Sequence, residues 1–177
     1  IWLKPSTARN IVIAGRAGAF TPVMGWPAVT GNAPLDAWIL FGLIFLWTPP
    51  HFWALSQWTS KDYARAGVPM LPVTRGAKET RRQILLYTLV MAPFGLAPVA
   101  TGLGGMIYLV VASLGGAVFL WGALRVYNSR AGDSDHRADL KHARTLFGIS
   151  ILYLFALFAA LLVEHAAPPH FLVGGGA

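Results

Sequence analysis

The chain has 177 residues, of which 55% are hydrophobic and only 12% charged, with a mean hydropathy of +0.55. Soluble domains carry about twice that charged fraction, so the composition excludes an ordinary water-soluble globule and points to a bilayer. The formal charge of +7 needs no nucleic acid to explain it, because the cations are confined to particular connections, and the absence of Cys excludes disulfides and thiolate chemistry.

Five apolar runs reach or approach the roughly 20 residues that cross a bilayer as a helix: 10–28, 35–57, 83–101, 105–124 and 146–163. None shows strand alternation, so the expected fold is all-α, a polytopic transmembrane helical bundle forming a single membrane domain over 1–177. Lys4 and Arg9 precede the first run. Lys61, Arg65, Arg75, Lys78, Arg81 and Arg82 lie between the second and third, and Arg125, Arg130, Arg137, Lys141 and Arg144 between the fourth and fifth. Only Arg16 falls inside a run. Basic residues on alternate connections follow the positive-inside pattern, which assigns those connections to the cytoplasm.

Along the first run, Ala14, Gly15, Ala17, Gly18 and Ala19 are small enough for close helix approach. Arg16 among them either snorkels to the surface or binds phosphate. The second run ends in Phe45-Leu-Trp-Thr-Pro-Pro-His-Phe-Trp53. Pro49 and Pro50 donate no backbone hydrogen bond, so a kink or opening is expected there, with His51 directly after it. Pro93 and Pro98 sit in the third run, and Gly104-Gly105 marks the turn into the fourth.

Residues 58–83 carry the densest chemistry and are expected to form a cytoplasmic substrate loop. Asp62 is the only carboxylate between Asp36 and Glu79, flanked by Lys61 and Arg65, with Arg75 and Lys78 beyond a Pro-rich turn. A carboxylate suits Mg²⁺ and the cations suit a polyanion such as diphosphate. By spacing alone Asp62 reads sooner as a solvated or ion-paired loop residue than as a metal ligand, and His51 sooner as a hydrogen-bonded packing residue than as a ligand.

The strings NIVIAGRAGAF, FLWTPPHFWAL, KDYARAGVPMLPV and TRRQILLYTL closely resemble the haem O synthase branch of the UbiA-type intramembrane prenyltransferases, from about Leu3 to about Leu89 and more weakly beyond. The resemblance implies a bundle of about nine spans with a lateral cavity and a cytoplasmic polar cap, of which this chain would be the C-terminal part, inactive by itself. Two loops of that family bind Mg²⁺–diphosphate. The Asn/Asp-rich one has no counterpart here, while the second corresponds to Asp62 through Pro72.

By that resemblance the chain takes part in transferring a farnesyl group from farnesyl diphosphate to a vinyl group of haem b in the bacterial cytoplasmic (inner) membrane. Asp62 would hold the metal, and Lys61, Arg65, Arg75 and Lys78 the diphosphate. His51, Trp47, Phe52 and Trp53 would contact haem or the prenyl chain, and haem A synthase or terminal-oxidase assembly would be the partner downstream. The rival readings are a related enzyme that prenylates an aromatic quinone precursor, and a non-catalytic membrane assembly factor.

Overall fold

The computed structural model describes residues 15, 17–130 and 137–166. Among these, the regular elements are all helical: α1 (Thr21–Thr30), α2 (Leu35–Trp58), α3 (Ser60–Arg65), α4 (Leu71–Phe94), α5 (Ala97–Ala100), α6 (Met106–Asn128) and α7 (Arg137–Ala166). Four stretches of the described residues are long and apolar enough to cross a membrane: Leu35–Trp58, Leu71–Ala100, Met106–Asn128 and Leu140–Ala166. These match the second to fifth expected spans. Of the first, residues 10–14 and Arg16 lie outside the described residues, while 17–19 and α1 are helical.

The four long helices close a ring in which α2 packs on α4, α4 on α6, α6 on α7 and α7 back on α2, with α1 against the outer side of α2. Tyr108, Phe119, Leu43, Ile84, Met91, Leu146 and Leu157 fill the interior. Leu114, Leu152, Phe155 and Leu162 stand exposed on the outside, as a surface solvated by acyl chains requires. In that solvent burial of apolar area drives association weakly, and close van der Waals packing replaces it. At Gly115 a Cβ would sit 2.6 Å from Cδ2 of Tyr153, so the backbone of α6 approaches α7 only because the side chain is missing. Among the small residues of the first run, Gly15 approaches Thr48 and Ala19 is buried, whereas Ala17 and Gly18 face outwards.

Two expectations need correction. The third helix does not wait until residue 83: α4 begins at Leu71, and the stretch 58–83 is largely helical. Thr74 to Gln83 is too polar to register as a span, yet its buried positions Ala77, Thr80, Arg81 and Ile84 recur at helical spacing. Likewise, α2 does not open at Pro49-Pro50 but runs as one helix through them, with both prolines buried. Their fixed φ is compatible with a helix, but the donors to the carbonyls of Phe45 and Leu46 are lost and the proline rings crowd those same carbonyls. Directly before them, the Thr48 hydroxyl bonds back to the Ile44 carbonyl at 2.7 Å.

Candidate functional site

The platform that carries Asp62 is built by local sequence. The short helix α3 ends where Gly67 adopts φ +65°, a left-handed conformation that glycine enters without a Cβ penalty. Val68 N–H then bonds to Tyr63 O at 3.0 Å and Gly67 N–H to Ala64 O at 3.2 Å, the paired bonds of a Schellman stop. Val68 and Tyr63 both pack against the core, which anchors the turn. Pro69 and extended Met70 lead into α4, whose own backbone leaves helical geometry at Gly76 (φ +81°, ψ 165°). Arg75 and Lys78 flank that break.

Lys61, Asp62, Arg65, Arg75 and Lys78 are all exposed around this double turn. Asp62 lies in the first turn of α3 and Arg65 in the last. No group of three or more His, Asp or Glu side chains that could hold a metal occurs among the described residues. The platform therefore offers one carboxylate among cations, a donor set that fits Mg²⁺ held mainly by a substrate's phosphates and water.

Seven residues before Trp58, about 10 Å of helix rise, His51 is buried in the wall between α2 and α7. Its ring lies between Trp47 (centroids 4.2 Å, 18°) and Phe147 (4.4 Å, 21°), with Phe52 edge-on at 5.3 Å. Nδ1 is 2.7 Å from Oγ of Ser150. The same serine accepts Trp47 Nε1–H on its carbonyl at 2.7 Å, and its hydroxyl donates to Phe147 O at 2.6 Å. Above this layer Trp58 meets Phe147 edge-on, and the Arg144 guanidinium lies 5.8 Å from the Trp58 ring. The Arg144 end of α7 and the Asp62 end of α2 thus share one face of the bundle.

The structure brings Trp47, His51 and Phe52 together but places Trp53 elsewhere. Trp53 turns towards α4, where it meets Tyr87 edge-on at 5.2 Å. One turn on, Gln57 donates from Nε2 to Ala77 O at 3.4 Å. Among the described residues, Trp53 Nε1 and Gln57 Oε1 are buried without a hydrogen-bond partner. Arg81 is also buried, whereas Arg82 reaches outwards to Glu79 at 3.6 Å. Sequence reasoning overlooked Ser150, Phe147, Gln57 and Arg81. A signal existed for Arg81, in register with Ala77, Ile84 and Thr88, but Ser150 is 99 positions from His51 and only the fold joins them.

A family model described as the UbiA prenyltransferase family matches residues 1–147. The chain belongs to that family. Among curated relatives of this UbiA member, the protoheme IX farnesyltransferase of Hyphomonas neptunium is 65% identical over 99% of the chain and 55% of its own length. Proteins of the same name from Caulobacter sp. (strain K31) and Caulobacter vibrioides are 59% and 58% identical, each over 93% of the chain and 54% of the relative. The UbiA chain therefore spans about half the length of the curated relatives it matches. No solved structure matches it.

Proposed function

We propose that this chain is the C-terminal part of an enzyme that transfers a farnesyl group from farnesyl diphosphate to a vinyl group of haem b, giving haem O and diphosphate. The observation that supports the reading best is the pairing of an exposed Asp62–cation platform with a buried aromatic-clamped His51 two turns beneath it, in a chain 65% identical to a protein named protoheme IX farnesyltransferase.

In this reading Asp62 would hold Mg²⁺, which would supply neutralising charge for a diphosphate leaving group. Lys61, Arg65, Arg75 and Lys78 bind the remaining phosphate oxygens, so negative charge developing at the leaving group meets fixed cations. The allylic C–O bond ionises, the vinyl carbon of haem attacks the farnesyl cation, and water adds to the resulting porphyrin-side cation with loss of a proton. Trp47 and Phe52 present aromatic faces or edges that exclude water and stabilise positive charge. His51 contacts the haem. The platform faces the cytoplasm and the bundle lies in the bacterial inner membrane, as the basic connections support. Haem A synthase or terminal-oxidase assembly would receive the product.

The test joins this chain to the N-terminal portion of the Hyphomonas neptunium relative and assays the purified fusion with farnesyl diphosphate and Mg²⁺. Haem b should be farnesylated and 4-hydroxybenzoate should not; the reverse preference would overturn the substrate assignment. His51→Ala should weaken haem binding, and unchanged affinity and turnover would remove it from the site. The 177-residue chain alone should give no turnover.

A further inference from the structure

The Ser150 hydroxyl has one proton and directs it at the carbonyl of Phe147, 2.6 Å away. Its lone pairs alone remain for Nδ1 of His51 at 2.7 Å, so Nδ1 must carry a proton and donate it. Were the proton on Nε2 instead, Nδ1 would need the serine proton. The hydroxyl oxygen and the Phe147 carbonyl would then face each other at 2.6 Å with no hydrogen between them. The ring has little freedom to escape this arrangement, since Trp47 and Phe147 stack on its two faces and Ser150 also fixes Trp47 through its carbonyl. Ser150 is itself fully buried. One residue of α7 thus controls both the rotation of the imidazole and the rotation of one wall of its clamp.

We propose that Ser150 is a positioning residue for His51: it holds the Nδ1–H tautomer, so that neutral His51 presents the Nε2 lone pair to the prenyl-acceptor porphyrin. A group hydrogen-bonded to the far nitrogen of a histidine sets which nitrogen is basic and where it points. The part concerning porphyrin rests on the function proposed above; the part concerning the tautomer does not. The lone pair at Nε2 suits axial contact with haem iron or acceptance of a hydrogen bond from a protonated propionate, and it gives the imidazole no proton of its own to donate there.

The first experiment uses this chain, ¹⁵N-labelled at histidine, in lipid nanodiscs, with the His51 signals assigned by their loss in His51→Ala. Wild type should show a protonated Nδ1 and an unprotonated Nε2. Ser150→Ala should shift the ring to a tautomer mixture, and Ser150→Thr, which keeps the hydroxyl, should restore the wild-type pattern. An Nε2–H ring in wild type, or an unchanged Nδ1–H ring in Ser150→Ala, would overturn the proposal. The second experiment titrates ferric haem b into the fusion with the N-terminal portion of the relative. Ser150→Ala should lower affinity roughly ten- to a hundredfold, the range for groups that orient a ligating histidine, with a change in the Soret band that Ser150→Thr reverses. A perturbed tautomer with unchanged haem affinity and spectrum would separate the two parts: the hydrogen-bond control would stand, and the presentation of Nε2 to porphyrin would fall.

Discussion

The carboxylate of Glu164 accepts the backbone N–H of Ile107 at 2.7 Å, tying the last turn of α7 to the first turn of α6. Its two oxygens also take Gly105 N–H at 2.7 Å and Tyr108 N–H at 3.1 Å. The unpaired amides at the start of a helix are thereby satisfied by an anion placed where the helix dipole favours it. The contact closes the end of the bundle opposite Asp62. Glu164→Gln keeps one acceptor oxygen and loses the charge, so it should destabilise the bundle by about 1.5–3 kcal/mol, the range for hydrogen bonds to charged groups. Reversible unfolding in mixed micelles measures this.

Two buried tyrosines should respond oppositely to loss of the hydroxyl. Tyr108 donates to the Gly95 carbonyl at 2.8 Å, which anchors the turn after α4, whereas the hydroxyl of Tyr153 is buried with no partner among the described residues. Tyr108→Phe should cost about 1 kcal/mol by leaving a buried carbonyl unpaired. Tyr153→Phe should be neutral or stabilising, since it removes an unsatisfied group. Equal losses in the two variants would contradict the hydrogen-bond assignment.

Gly115 makes a steric prediction. A methyl there would press on the buried ring of Tyr153, so Gly115→Ala should cost about 1–3 kcal/mol as overpacking. Adding Tyr153→Leu should recover part of that loss, giving a non-additive double-mutant cycle. Additive effects would show that α6 and α7 do not meet at these residues.

The apolar spans were legible because bilayer thickness imposes a length on them that hydropathy detects directly. The helix that stops at Gly67 was not anticipated, because 58–83 was expected as a loop, although Gly followed by Val-Pro is the chemistry of a helix end. The start of α4 was hidden because Thr74 to Gln83 combines polar composition with helical burial, and averaged hydropathy sees only the first. The candidate site divided along the same line. Lys61, Asp62 and Arg65 are neighbours in sequence and could be found there. The clamp around His51 draws Phe147 and Ser150 from α7, and nothing local predicts which apolar residues of a distant helix will face it.

Arg81 and Arg82 are adjacent in sequence and opposite in environment. Arg82 is exposed and pairs with Glu79 at 3.6 Å, a contact that contributes about 0–1 kcal/mol. Arg81 is buried on the face that α4 turns to its neighbours. Arg81→Ala should cost at least about 2 kcal/mol through lost packing and disturbed buried polar groups. Arg82→Ala should stay near wild type. Thermal unfolding of the two variants in nanodiscs decides between this asymmetry and an equivalent pair of surface charges.

The most direct test of the proposed chemistry is the Mg²⁺ dependence of diphosphate release from farnesyl diphosphate and haem b by the fusion with the N-terminal portion of the relative, compared with its Asp62→Asn variant. The platform reading predicts Mg²⁺-dependent release in the parent fusion and a fall in kcat of at least about a hundredfold in Asp62→Asn, as loss of electrostatic stabilisation at the leaving group implies. Retained Mg²⁺-dependent turnover in Asp62→Asn would contradict it.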